Sequence, residues 1–308
     1  MGASHAQPVL RRGTPDDDIR ACHRLLWESA TDLGRRRGSP LEGSEEDWWA
    51  GGEPLNRFLA EHAAEWWVAE SPDVKGDGLI GYARSIERGG LFELTELFVK
   101  PGVQSRGIGR QLIERAFPLG RGEVRSIIAT TDVRATARYY AADTVARFPY
   151  FTLAGRPRPD GDGGDLSAEP IAGDDPSRLT AVTDIERAVL EFPRGTDELR
   201  WLAANRPGQL FLRAGAPLGF AFQSKRAAGP IAALDPADLP LILAHVEARA
   251  AELGAESLDL EVPGINVVAI RHLLGRGFQI DPWINLLMSN RPFGQFDRFI
   301  GYSPPIFL

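Results

Sequence analysis

In the first half of the chain, short runs of apolar residues alternate with polar ones between Gly, Pro and Asp, the pattern of strands. Longer stretches repeat their apolar residues every three or four positions, the pattern of helices. Residues 9–12 predict a short strand. Thr14-Pro15-Asp16-Asp17 then opens a helix, with Thr14 as N-cap, Pro15 in the first helical position and acids in the first turn. A second helical region spans about 44–62, with Trp48 and Trp49 before a break at Gly51-Gly52. Strands follow at 66–70, 79–87 and 91–99, a helix at 106–117, a strand at 124–130, a short helix at 134–142 and a last strand at 148–153. Hairpins followed by a strand–helix–strand unit make this a mixed α/β fold.

The second half repeats the order. Residues 208–212 stand where 65–70 stand in the first half, 218–221 echo 80–83, and 229–234 lead through Asp235-Pro236 into a helix ending near Leu253. A strand at 257–262 and a helix at 266–275 follow. We read this as an internal duplication. Between the halves, 155–176 is rich in Gly, Pro and Asp and reads as an exposed linker. The expected layout is a domain at 1–155, a linker at 156–176 and a second domain at 177–308. The tail from 283 carries Phe293, Phe296, Phe299, Tyr302 and Phe307. Exposed, it would form a large apolar patch, so it is expected to pack on the other domain or on another subunit.

Composition fits this picture: 308 residues, 43% hydrophobic and 25% charged, suit about two soluble domains. No apolar run is long enough for a transmembrane helix, and residues 1–7 have no signal core, so a cytoplasmic location away from membranes is expected. Cys22 is the only cysteine and reads as a small buried residue; the five histidines are scattered, so no metal site is expected. The net charge of −7 argues against nucleic acid and suits a cationic substrate. The run Arg35-Arg36-Arg37, between Gly34 and Gly38, reads as a solvated loop.

The most informative segment is 91–117, where a strand enters a loop and the loop opens a helix. Unpartnered N–H groups and a partial positive charge at a helix start suit phosphate oxygens. Gly107 and Gly109 lack a Cβ, so a pyrophosphate can approach the backbone, and Arg106 and Arg110 can add charge. The third glycine of a dinucleotide fingerprint is missing, Leu112 standing in its place, and no Walker lysine follows.

Gln104-Ser105-Arg106-Gly107-Ile108-Gly109, preceded by Leu97-Phe98-Val99-Lys100-Pro101, resembles the Q/R-x-x-G-x-G/A signature of the GNAT acetyltransferase superfamily. The order of elements over the whole first half matches too. The resemblance implies two tandem GNAT-like domains, each a central mixed sheet flanked by helices. It implies acetyl-CoA as donor, with the backbone of Leu97, Phe98 and Val99 beside the pantetheine arm and amides from Gln104 to Arg110 on the pyrophosphate. It implies direct transfer of acetyl to an amine of a small molecule or protein, without a metal. A non-catalytic acyl-CoA sensor or an interaction protein is the alternative.

Attack by an amine needs a base, a donor for the developing oxyanion and an acid for the leaving thiolate. Glu93 and Glu96, on the strand before the loop, match acidic positions that the family uses for the base. Strict alternation puts them on opposite faces, and a bulge would change that. Tyr140 matches the family's general acid, with Tyr139 in an apolar position, although Thr144-Val145 replaces the usual Gly-Phe pair. Asp132 reads as a cap or turn residue. Trp66 and Trp67 fall on one strand, so one of them is expected to face the core; Trp48 and Trp49 are expected to pack.

In the second half, the loop position holds Asp235-Pro236-Ala237-Asp238-Leu239-Pro240. Two prolines without N–H groups and two carboxylates suit no phosphate, so no coenzyme is expected there. An overall resemblance to actinobacterial-type tandem GNAT proteins agrees with a degenerate second domain that completes an acceptor pocket or forms a dimer face.

Overall fold

The computed structural model describes residues 7–74, 78–103, 107–160 and 163–304. The chain divides into two compact units, one of residues 1–127 and 137–144, the other of 128–136 and 145–308.

The elements through the first half are β1 (Val9–Arg12), α1 (Pro15–Arg37), α2 (Glu45–Glu61), β2 (Glu65–Glu70), β3 (Leu79–Arg88), β4 (Leu91–Val99), α3 (Ile108–Ala116), β5 (Val124–Thr130) and α4 (Val133–Ala141). The residues of β5 and α4 are shared between the units. In the first unit, β1, β2, β3 and β4 pair antiparallel in that order, and β5 joins β4 in parallel. One face of β3 meets α3: a methyl group on Gly81 would lie 3.0 Å from Leu112, and the Ser85 hydroxyl donates to the Ala116 carbonyl at 2.7 Å. The other face carries Tyr82, which joins Ile19, Cys22, Leu25, Trp66 and Val68 in a core under α1. Trp66 is the member of its pair that is buried.

Three local readings are corrected. Arg35, Arg36 and Arg37 form the last turn of α1, where cations complement the helix dipole, and Gly38 ends the helix in the left-handed region. Helix α2 runs unbroken through Gly51 and Gly52, started by a Ser44–Asp47 capping box. The stretch 156–176 is not wholly a linker, because it contains a strand.

That strand is β7 (Ser167–Ile171), antiparallel to β8 (Gly208–Arg213). Between them lie α5 (Pro176–Leu190) and α6 (Thr196–Asn205). Then come β9 (Ala216–Gln223), β10 (Ala227–Ala233), α7 (Leu239–Glu252), β11 (Leu258–Pro263), α8 (Val267–Gly275), β12 (Gln279–Ser289) and β13 (Phe299–Ile300). The order β7, β8, β9, β10 is antiparallel and β11 joins β10 in parallel, as in the first unit. The remaining strand, β6 (Val145–Gly155), pairs with β11 on one side and β12 on the other, and so belongs to the second unit. Its Leu153 faces Leu260 across the ladder, and both are fully buried in the core there. The first-domain boundary expected at 155 therefore falls before Val145.

The aromatic tail closes on its own unit. Phe293, Phe296, Phe299 and Tyr302 are buried, with Phe296 edge-on to Phe293 and Phe299. The expectation of a distant partner is thus corrected for these four; Phe307 lies outside the described residues.

Candidate active site

The register of β4 against β3 shifts between the rungs Ser85↔Leu94 and Arg84↔Glu96, which makes Thr95 an extra residue. Glu93 lies opposite Ile86 and Glu96 opposite Arg84. Arg84 and Ile86 are two apart on one strand and share a face, so the bulge brings both glutamates to the α1 and α2 face of the sheet.

Both carboxylates are buried, at 1% exposure for Glu93 and 2% for Glu96. Arg84 is bound to Glu96, its Nε donating at 2.5 Å, and the Tyr82 hydroxyl donates to the other oxygen at 2.9 Å. Arg84 also donates to the Asn56 carbonyl of α2 at 3.1 Å and lies 5.1 Å from the centroid of Trp66. Burial pushes the Tyr82 hydroxyl well above its ordinary pKa, and the Glu96 charge adds to the effect. Burial also raises the Cys22 thiol, which stays a packed hydrophobe. Glu93 lies 3.6 Å from the Arg88 guanidinium. Sequence patterning does not single out Tyr82, Arg84 or Arg88; the available signal is Arg84 directly after the apolar run that opens β3.

The parallel ladder between β4 and β5 ends at Leu94↔Ile127, so 95–99 run on past its last rung toward the loop. Leu97, Phe98 and Val99 pair with Ala83, Tyr82 and Gly81 of β3. Lys100 is held to Glu28 of α1 at 2.7 Å. Gln104, Ser105 and Arg106 lie outside the described residues. Gly107 is the N-cap of α3 with φ of 81°, a left-handed backbone that favours glycine, and open space surrounds the position where a Cβ would stand. Ile108 is buried, and Arg110 points to solvent beside Glu114 at 3.6 Å.

At Gly109, an added methyl group would overlap the guanidinium of Arg138, whose Cζ lies 3.2 Å from that point. The glycine therefore admits an arginine from α4 to the start of α3, a juxtaposition invisible in sequence spacing. On the same helix, Tyr139 is buried and Tyr140 is half exposed. Asp132 accepts from the Arg134 amide at 2.9 Å, in the turn role expected of it. Among the described residues no group of His, Cys, Asp and Glu could hold a metal ion. No helix described is long and apolar enough to cross a membrane.

Residues 62–142, from the end of α2 through α4, match the family model of the acetyltransferase (GNAT) domain. That stretch of the chain is similar to a GNAT domain. Its fold over nearly the full length is shared with a proposed acetyltransferase from Pyrococcus horikoshii, at 16% identity and a TM-score of 0.72, covering 98% of this chain and 97% of that one. A GCN5-related N-acetyltransferase from Sphaerobacter thermophilus is similar at 16% identity and a TM-score of 0.61, covering 93% and 96%. A tandem GNAT protein from the clavulanic acid biosynthesis pathway is similar at 17% identity and a TM-score of 0.59, covering 93% and 99%. At such identities the likeness concerns fold. No curated protein matches in sequence.

The second unit has the same ladder end but fills the space beyond it. Strands β10 and β11 share two parallel rungs, Ala227↔Asp259 and Ala228↔Leu260. Past them β13 pairs with β10 at Ile231↔Ile300 and Ala232↔Phe299, while Gly301 bridges to Glu261 of β11. Arg206 donates to the Gly229 and Ser303 carbonyls and stacks on Tyr302 at 3.6 Å, which holds the segment in place. Where α3 begins with glycines, α7 begins with carboxylates: Asp235 accepts from the Ala237 amide at 2.9 Å, and Asp238 pairs with Arg213 at 2.9 Å.

Proposed function

We propose that the chain is an acetyl-CoA-dependent N-acetyltransferase, that its first unit is the catalyst, and that the acceptor is a primary amine of a small molecule or protein. The observation that carries this reading is the course of β4: bulged at Thr95, free of the β5 ladder after Leu94, and running toward a helix start whose N-cap is a left-handed glycine. That is a backbone suited to lie along a pantetheine arm, followed by amides suited to a pyrophosphate.

In this proposal the amine nitrogen attacks the thioester carbon, the carbon–sulfur bond breaks, and the departing thiolate takes a proton from Tyr140. The amine's own proton leaves to Glu93, through water, because the carboxylate is buried. Glu96 is a positioning residue: bound to Arg84 and Tyr82, it fixes the bulge and the negative charge beneath the acceptor. Filling by β13 of the space past the β10 and β11 ladder supports a stoichiometry of one coenzyme per chain.

The test pairs thermal melting with thiol release. Acetyl-CoA should raise the melting temperature, and free thiol should appear when a panel of amines is added. A second reading, a non-catalytic acyl-CoA sensor, draws on the burial of both carboxylates against arginines. A melting shift without turnover on any amine would favour it, and no shift at all would sink both.

A further inference from the structure

We infer that Arg138 is a phosphate ligand of the coenzyme and sets the preference for a phosphorylated donor. The inference rests on the acetyl-CoA reading above and extends it to a residue outside the loop signature. Its basis is a juxtaposition of like charges. The Arg138 guanidinium lies against Gly109 in the first turn of α3, closer than a methyl group on that glycine would allow. The start of a helix is its positive end, and the first turn of α3 has no acidic residue to offset it.

Other cations around this helix are answered by acceptors. Arg110 has Glu114, Lys100 has Glu28, and Arg125 donates to the carbonyls of Phe117 at 2.7 Å and Ala142 at 2.6 Å. For Arg138, no carboxylate partner occurs among the described residues. A cation set on a positive helix end repels it unless an anion joins them, and a phosphate group would accept from the backbone amides and the guanidinium together. The planar fork of arginine suits two phosphate oxygens at once, which lysine cannot match. Gly109 then has a second function, since any side chain there would displace the arginine.

The experiment measures binding by calorimetry for the full chain and for R138A and R138K, with acetyl-CoA and with its analogue lacking the 3′-phosphate. Loss of a charge-assisted contact predicts about a 10- to 100-fold rise in Kd for R138A and a smaller rise for R138K. An equal penalty with both donors identifies the pyrophosphate as the bound group; a penalty that disappears with the analogue identifies the 3′-phosphate. With a short N-acetylcysteamine thioester, which carries no phosphate, kcat/KM should be the same for R138A and the parent. An unchanged Kd for acetyl-CoA in R138A would overturn the inference, as would an equal loss of kcat/KM on the short thioester. If the parent itself gives no heat with acetyl-CoA, the failure lies in the donor reading and not in Arg138.

Discussion

Replacing Glu96 by Ala should unfold the first unit under much milder conditions while sparing the second. Arg84 is fully buried, and Glu96 supplies its countercharge as well as the acceptor for the Tyr82 hydroxyl. E96A would leave a guanidinium without its carboxylate in a dry core, a change that costs about 3–5 kcal/mol in comparable buried pairs. With a urea dependence of about 2 kcal/mol per molar, the midpoint should fall by roughly 1.5–2.5 M. Tryptophan fluorescence is a suitable probe, because Trp27, Trp48, Trp49, Trp66 and Trp67 lie in the first unit and only Trp201 and Trp283 in the second. The double replacement R84M/E96M removes both charges together and should recover most of the loss, since the desolvation penalty of the pair goes with them. A midpoint shift below about 0.5 M for E96A would refute the reasoning, as would a double variant less stable than the single one.

Three further outcomes follow from other places in the fold. Y140F should lower kcat for amine acetylation by about 10²-fold or more with little change in acetyl-CoA affinity; unchanged turnover in a thiol-release assay would remove Tyr140 from the mechanism. Glu261 is buried beside Asp259 and Asp281, and burial foremost raises its pKa from 4.5 to about 7 although Thr152 donates to it. A carboxyl whose folded pKa is raised contributes stability that is fully present below about pH 4.5 and lost as pH rises through 7, so E261Q should flatten the fall in stability over that window in urea titrations. A slope identical to the parent's would count against the buried state of Glu261. I300D should lower the melting temperature of the second unit, because β13 is buried between β10 and β11, and should still leave one acetyl-CoA site per chain, because Asp235 and Asp238 stand at the start of α7; a new second site on calorimetry would contradict the reading that those carboxylates bar a phosphate.

The repeat was legible because strand and helix patterns recur in the same order, and the signs survive in short pieces such as 218–221 against 80–83. Some helix starts were legible from local residues: Thr14-Pro15 with acids in the first turn before α1, and Asp235-Pro236 leading into α7. What escaped depends on contacts distant in sequence. β7 is a five-residue edge strand inside a polar stretch, and its pairing with β8, not its own pattern, makes it a strand. β6 follows α4 directly, yet pairs with β11 and β12 more than a hundred residues later. In the candidate site, alternation separates Glu93 from Glu96, and only the register against β3 reveals the bulge that reunites them. The partners that bury them, Arg84, Tyr82 and Arg88, come from the neighbouring strand. The meeting of Arg138 and Gly109 joins two helices and leaves no trace in spacing.

The central claim is that the α3 start in the first unit is a coenzyme site, and binding of acetyl-CoA to the parent and to G107E tests it most directly. Gly107 combines a left-handed backbone with open space, so glutamate there adds both backbone strain and a charge that repels phosphate. The account predicts one equivalent of acetyl-CoA bound per parent chain, with a raised melting temperature, and neither heat nor melting shift in a folded G107E. Equal binding by both proteins, or none by the parent, would contradict it.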